Sequence, residues 1–190
     1  MAVQNQIRII GGRCRGRKIP VLRAQSLRPT MDRARETLFN WLMHDIADAR
    51  CLDVFAGSGA LGFESLSRGA KCAVLLEKSS SVFHQLQQSC DLLGFDTSCR
   101  VKHRDATKWL ARPSREPFDI IFIDPPFQYP QMITKTLYFI AEFQWILPDG
   151  LVYIEAPKDY PLALQLPNYW QIYKQTEVSE VAMYLLKIAH

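Results

Sequence analysis

From residue 51 onward, short unbroken apolar runs alternate with longer stretches in which apolar residues recur every three or four positions. The runs are 51–56, 73–76, 118–123 and 151–154, with a weaker one at 99–103. Helical spacing fills the intervals near 59–69, at 80–93 (Phe83, Leu86, Cys90, Leu93), at 106–111 and at 131–142 (Ile133, Leu137, Ile140, Ala141). A strand buried on both faces needs an unbroken apolar run, and a crossover helix lying on the sheet needs one apolar face. The alternation therefore predicts an α/β fold: a Rossmann-like, mostly parallel twisted sheet flanked by helices. Right-handed crossovers gather the loops that follow the strands along one edge, where such folds bind ligands. Residues 169–173 and 181–186 are strand-like with a short polar link, which predicts a closing antiparallel hairpin. No internal repeat or low-complexity segment is present.

Before residue 51 the pattern changes. Thr30, after Arg28-Pro29, stands as an N-cap ahead of Ala34, Leu38, Trp41 and Leu42 at helical spacing. The segment before it is apolar (Ile7, Ile9, Ile10, Ile19, Val21, Leu22) as well as basic, and Gly11-Gly12 separates its halves as a hairpin turn would. The net charge of +4 conceals this asymmetry. Residues 1–35 carry nine Lys or Arg against one acid, Asp32, while the other 155 residues are net −4. The expected organisation is a basic hairpin arm, residues 1–27, on a body of residues 28–190. A structured basic hairpin clamps a polyanion better than a solvated tail does.

Composition narrows the class. With 190 residues, 48% of them hydrophobic, the chain is too apolar for disorder and long enough for one core. No apolar run reaches membrane-span length, and Arg8, Arg13, Arg15 and Arg17 stand where a signal peptide would be apolar. Five cysteines, odd in number and without Cys-x-x-Cys spacing, speak against a disulfide framework or structural zinc and for a reducing cytoplasm. No apolar stripe is left over, so a monomer is expected.

The chemistry begins with Gly57, Gly59 and Gly62, a G-x-G-x-x-G between a predicted strand and a predicted helix. Glycines there allow a tight turn and let backbone lie against a ligand. Nicotinamide, flavin and S-adenosylmethionine enzymes all use this corner, so the loop alone leaves the ligand open. Glu77 closes the second strand, where an acid takes ribose hydroxyls; a surface acid ending a strand would look the same. Asp105 and Ala106 follow the third strand and could meet an adenine edge, or Asp105 could simply cap the next helix. Asp124-Pro125-Pro126-Phe127 follows the buried run 118–123 directly. Two prolines lock two φ angles and remove two donors, leaving rigid carbonyls, a carboxylate and an aromatic face at the ligand edge. Methylation of an exocyclic amine calls for this set, because acceptors on the N–H bonds localise the nitrogen lone pair and the ring stacks on the base.

Together, Asp53, Phe55, Gly57 and Gly59 with Glu77, Asp105 and the Asp-Pro-Pro-Phe resemble a class I S-adenosylmethionine-dependent methyltransferase acting on an amino group. More narrowly, the chain resembles the bacterial 16S ribosomal RNA guanine-N2 methyltransferase family, which modifies guanine-966. The likeness spans nearly the whole chain: residues 8–16 with Gly11-Gly12, the block from Arg28 through Arg33-x-Arg35-Glu36-Thr37-Leu38-Phe39-Asn40-Trp41-Leu42, the glycine loop and the Asp-Pro-Pro-Phe.

By that resemblance, the loop of Gly57, Ser58 and Gly59, with Phe55, cradles the methionine portion, and Asp53 lies near its amino group. Glu77 with Lys78 takes the ribose, and Asp105 with Ala106 the adenine. Asp124, bordering the donor too, holds the target guanine with Pro125, Pro126 and Phe127. Arg8, Arg13, Arg15, Arg17, Lys18, Arg28, Thr30, Arg33 and Arg35 face RNA, and Thr30, Arg33 and Arg35 on the first helix face the pocket too, although Arg33 and Arg35 suit a plain solvated helix face as well. The implied partner is 16S RNA within a small-subunit particle, with no metal and no membrane. An N6-adenine DNA methyltransferase would share the acceptor motif but needs a target-recognition region that 190 residues hardly accommodate. A nicotinamide oxidoreductase leaves Asp-Pro-Pro-Phe without a use, and a non-catalytic RNA-binding assembly factor leaves both motifs without one.

Overall fold

The computed structural model describes residues 5–21, 30–126 and 128–189. Phe127 and Arg28 lie outside these described residues. At the N-terminal end, β1 (Asn5–Arg8) and β2 (Lys18–Val21) pair antiparallel, with Arg8 opposite Lys18. Their connection differs from the expected tight turn at Gly11-Gly12. It is a nine-residue loop closed by the Ile9 N–H to Arg17 carbonyl and Gly16 N–H to Ile9 carbonyl bonds, both 2.9 Å.

After α1 (Thr30–Trp41), strands and helices alternate as β3 (Arg50–Asp53), α2 (Ala60–Ser67), β4 (Cys72–Glu77), α3 (Ser80–Leu93), β5 (Cys99–His103), α4 (Ala106–Leu110), β6 (Phe118–Ile123), α5 (Gln131–Glu142) and β7 (Ile146–Pro157). A short α6 (Leu162–Gln165) and the hairpin β8 (Trp170–Val178) and β9 (Val181–Ile188) complete the chain. Seven strands form one sheet in the order β5-β4-β3-β6-β7-β9-β8. The first five in that order are mutually parallel, and β9 and β8 are antiparallel additions. The strand order switches between β3 and β6, so their carboxyl ends open the crevice where this architecture takes ligands.

Alternation along the strands divides the core into two layers. Phe122 and Tyr153 point to the layer of Phe39, Phe63, Leu66 and Leu86 from α1, α2 and α3. Ile121, Ile123 and Ile154 point to the layer of Leu110, Ile133, Leu137 and Ile140 from α4 and α5. The hairpin arm belongs to the first layer, because Ile9 and Ile19 are fully buried in it. Each such side chain contributes about 1.5–3 kcal/mol. Buried Glu64 of α2 completes the anchor by accepting the Ile10 N–H at 2.9 Å and the Gly11 N–H at 2.8 Å.

Helix α1 begins at Thr30 itself, one residue earlier than an N-cap Thr30 would place it. Its two arginines go different ways. Two residues subtend about 200° of helix, so Arg33 and Arg35 face opposite sides. Arg33 is exposed, but Arg35 is only 4% exposed and is therefore neither a solvated residue nor part of an outer RNA face.

Candidate active site

At the end of β3 the chain turns through the glycine loop into α2. Gly57 and Gly59 have φ of 50° and 77°, the left-handed region that favours glycine. The third glycine has a different task, since a Cβ on Gly62 would lie 2.7 Å from Leu75 Cδ1, and the helix packs closely on β4 through this gap. The Gly62 N–H donates to Asp53 Oδ2 at 3.1 Å. Asp53 is 2% exposed, and its carboxyl is pushed up to about 7, chiefly by burial, with the Gly62 N–H opposing and the Glu77 charge adding.

Glu77 at the end of β4 ties down the same loop. Its Oε2 accepts the Gly57 N–H at 3.2 Å and its Oε1 the Ser79 N–H at 2.7 Å. Lys78 is exposed, and its carbonyl meets His103 Nε2 at 3.0 Å. Asp105, after β5, caps α4 by accepting the Thr107 hydroxyl at 2.7 Å and the Lys108 N–H at 3.1 Å. These bonds, Thr107 first, hold its carboxyl below the usual range. Ala106 is buried in the second core layer.

Asp124 directly follows β6, half-buried, with Pro125 buried and Pro126 exposed. The Pro126 carbonyl accepts the Tyr129 N–H at 2.8 Å, so it closes a turn instead of serving as an acceptor at the ligand edge. Asp124's carboxyl is pushed well above the ordinary range by burial, then by the charges of Glu155 and Asp53.

Between these ends lies a narrow cleft of about 40 Å³, open to solvent, lined among others by Arg35, Asp53, Phe55, Ser58, Asp124 and Glu155. It unites Asp53, Phe55, Ser58 and Asp124. Glu77 is connected to its rim through Gly57, while Asp105 stands farther along the same edge on β5. Two further members line it, and of these Arg35 was expected to face both the pocket and RNA. Arg35 donates from Nη2 to the Arg8 carbonyl at 2.9 Å and to Asp32 at 2.5 Å, whereas its Nε and Nη1 are buried without a hydrogen-bond partner. Glu155 of β7 was passed over entirely. The signal for it existed, because it follows the apolar run 151–154 as Glu77 and Asp124 follow theirs.

The proposed RNA-facing residues divide likewise. Arg8, Arg15 and Lys18 are exposed on the hairpin. Arg13 is exposed as well but lies over the Phe95 ring, 4.7 Å from its centroid. Arg17 donates to the carbonyls of Leu92 and Leu93 at the end of α3, a cationic cap.

Residues 7–187 match the family described as Conserved hypothetical protein 95. The chain is 42% identical over 174 residues to the ribosomal RNA small subunit methyltransferase D of Haemophilus influenzae, covering 90% of this chain and 89% of that one. Against the protein of the same name from Escherichia coli K12 it is 42% identical over 177 residues, covering 93% and 87%. A solved Escherichia coli structure described as a methyltransferase, yhhF, is 41% identical with a TM-score of 0.86, covering 97% of this chain and 98% of that one. The parallel sheet with its antiparallel closing strands, the glycine loop and these likenesses define a class I methyltransferase. Within that class, the chain belongs to the Conserved hypothetical protein 95 family.

Proposed function

We propose that this chain moves a methyl group from S-adenosylmethionine to the exocyclic N2 of a guanine in 16S ribosomal RNA. By resemblance the target is guanine-966, within a small-subunit particle in the cytoplasm, and the enzyme works as a monomer. The observation that carries this reading is Asp124, held by Pro125 at the end of β6 and facing the same cleft as Asp53. It joins an amine acceptor to a donor loop in one space.

The cleft suits the donor. Asp53 and Arg35, whose Nε has no hydrogen-bond partner and whose Nη1 lies 4.0 Å from Glu64 Oε2, offer opposite charges, matching the ammonium and carboxylate of an amino-acid moiety. The glycine loop gives backbone contact, and Glu77 and Asp105 lie along the edge on the ribose and adenine side. When bound, the donor supplies a sulfonium methyl group that is electrophilic in itself.

The remaining work is positioning. Asp124 accepts an N2–H, turns the nitrogen lone pair toward the methyl carbon and takes the proton as the N–C bond forms. The S–C bond breaks in the same step, and sulfur keeps its electron pair. Pro125 fixes the acceptor and Phe127 stacks on the base. Because a paired base cannot enter such a cleft, the target nucleotide is in a loop or flipped out. Residues 1–27 with Arg33 then serve as the RNA clamp on the body of residues 28–190, and Arg35 moves from that clamp to the donor site.

The test is transfer of a labelled methyl group to DNA, naked 16S RNA and small subunits lacking the modification, with nucleosides identified by mass spectrometry. N2-methylguanosine in RNA is the expected product. N6-methyladenine in DNA would overturn the substrate while keeping the acceptor chemistry.

A further inference from the structure

Four parallel strands of the sheet present an acid toward the same edge: Asp53 and Glu77 end β3 and β4, Asp124 follows β6, and Glu155 stands two residues before the end of β7. The donor and the amine account for the first three, and Glu155 has no role so far. Ile123 of β6 is in register with Ile154 of β7, so Asp124 and Glu155 are consecutive neighbours across the parallel pair. Such strands run about 4.8 Å apart. Both acids share the face of Phe122 and Tyr153, and both line the cleft.

Their proximity works against both. The Glu155 charge contributes to the elevation of Asp124's carboxyl. The fold nevertheless fixes Glu155 in place, since the buried Tyr153 hydroxyl donates to its Oε2 at 2.9 Å. Arg35, more than nine-tenths buried, lines the same cleft, its Nε without a hydrogen-bond partner and its Nη1 4.0 Å from Glu64 Oε2. A cleft with these features is made to receive a polar ligand, and the two acids together call for one that donates two adjacent hydrogen bonds.

Among the RNA bases only guanine has that edge. Its N1–H and N2 amine are adjacent donors, whereas adenine and cytosine place a bare ring nitrogen beside their amine and uracil has no amine. Resting on the guanine reading above, we propose that Glu155 is the specificity-determining residue, its carboxylate accepting the guanine N1–H while Asp124 accepts an N2–H. A base with a lone pair at the N1 position meets a negative charge there and is rejected, which is stronger discrimination than a missing contact.

2,6-Diaminopurine separates the two contacts, because it keeps the N2 amine and replaces N1–H by a lone pair. The experiment measures kcat/KM for small subunits reconstituted with guanine or 2,6-diaminopurine at the target position, using wild type, Glu155→Ala and Glu155→Gln. Glu155→Ala should lower kcat/KM on guanine about 10- to 100-fold and leave diaminopurine unchanged or improved. Glu155→Gln keeps the side chain's shape and can still take the Tyr153 hydrogen bond. Its amide can also donate to the N1 lone pair, so the preference should narrow from both sides. S-adenosylhomocysteine affinity, measured by calorimetry, should stay within about twofold in both variants, because Glu155 meets the base. Equal losses on the two bases in both variants would overturn the proposal and leave the reaction standing. Wild type giving no N2-methylguanosine would overturn the reaction and the proposal together.

Discussion

Asp124 is a carboxylate held where its charge is unwelcome, partly out of water and beside two other acids. To accept an amine proton it must be ionised, so kcat/KM should fall as pH drops through its raised pKa, above the ordinary carboxylate range. Asp124→Ala should cost about 100-fold or more in kcat and leave S-adenosylhomocysteine affinity within about threefold. Weak S-adenosylhomocysteine binding by that variant would assign the residue to the donor instead. Asp53 carries a second, separable pH signature. Its folded pKa of about 7 lies above its ordinary 3.8, so folding favours the protonated form. The stability this brings is complete below about pH 4 and is lost as pH rises toward about 7, at up to about 1.4 kcal/mol per pH unit. Asp53→Asn should therefore gain thermal stability over wild type across that interval, with no difference below it, in melts taken at several pH values. The same variant should bind the donor more weakly, because a neutral amide does not pair with an ammonium. Most of these acids were legible in the sequence because each follows a buried strand. For Arg35 the resemblance implied a pocket-facing place but implied it for Arg33 equally, since helical spacing alone cannot tell which side of α1 meets the cleft when both are polar.

At the scale of elements, the arm is the part whose appearance in sequence was least complete. Its alternating apolar residues announced a hairpin, but Gly11-Gly12 serve the body and not the turn. Gly12 has φ of +73°, and a Cβ there would lie 1.9 Å from the Ser67 carbonyl oxygen. Around it the Arg13 N–H donates to that same carbonyl at 2.8 Å, and the Cys14 N–H to Ser67 Oγ at 2.9 Å. Gly12→Ala forces this seam apart and should cost about 2–4 kcal/mol, lowering Tm by roughly 5–15 °C. Gly16 makes the control, with φ of +84° and nothing within 4 Å of the point a Cβ would occupy, so Gly16→Ala carries the backbone strain alone, about 1–2 kcal/mol. Equal Tm losses in the two variants would mean that the arm is not seated by this contact. The βα alternation was far easier to read, because buried strands and amphipathic crossovers leave different periods in the chain. The start of β7 escaped, since Pro148-Asp149-Gly150 has the composition of a turn although the strand runs from Ile146 to Pro157, with a register shift opposite Phe118 and Ile120. Helix α6, four residues long, is too short to show a period at all.

Over the whole molecule, charge is distributed unevenly, which is what the proposed RNA clamp would use. The arm carries the positive charge, α1 is balanced by Asp32 and Glu36 against Arg33 and Arg35, the body is net negative, and Asp53, Asp124 and Glu155 gather at the cleft. The structure revises how much of that positive charge is available. Arg35 is committed to the interior, and Arg17, though exposed, is bonded to the end of α3, while Arg8, Arg13, Arg15, Lys18 and Arg33 are exposed as well. The hairpin is seated in the core by Ile9 and Ile19, so on the proposed reading RNA held by these cations would be held at a fixed place relative to the cleft. About 4–6 phosphate contacts would make log K fall with log salt at a slope of roughly −3 to −5. Fluorescence anisotropy with a fragment of 16S RNA between about 50 and 200 mM salt measures it, and a flat response would remove the clamp. Arg15→Gln should weaken binding and make the slope about one unit shallower, without altering S-adenosylhomocysteine affinity, because Arg15 is exposed on the hairpin, away from the cleft. Glu155→Ala should do the opposite, leaving the salt slope alone while changing which base is accepted, so the two measurements separate holding the RNA from choosing the nucleotide.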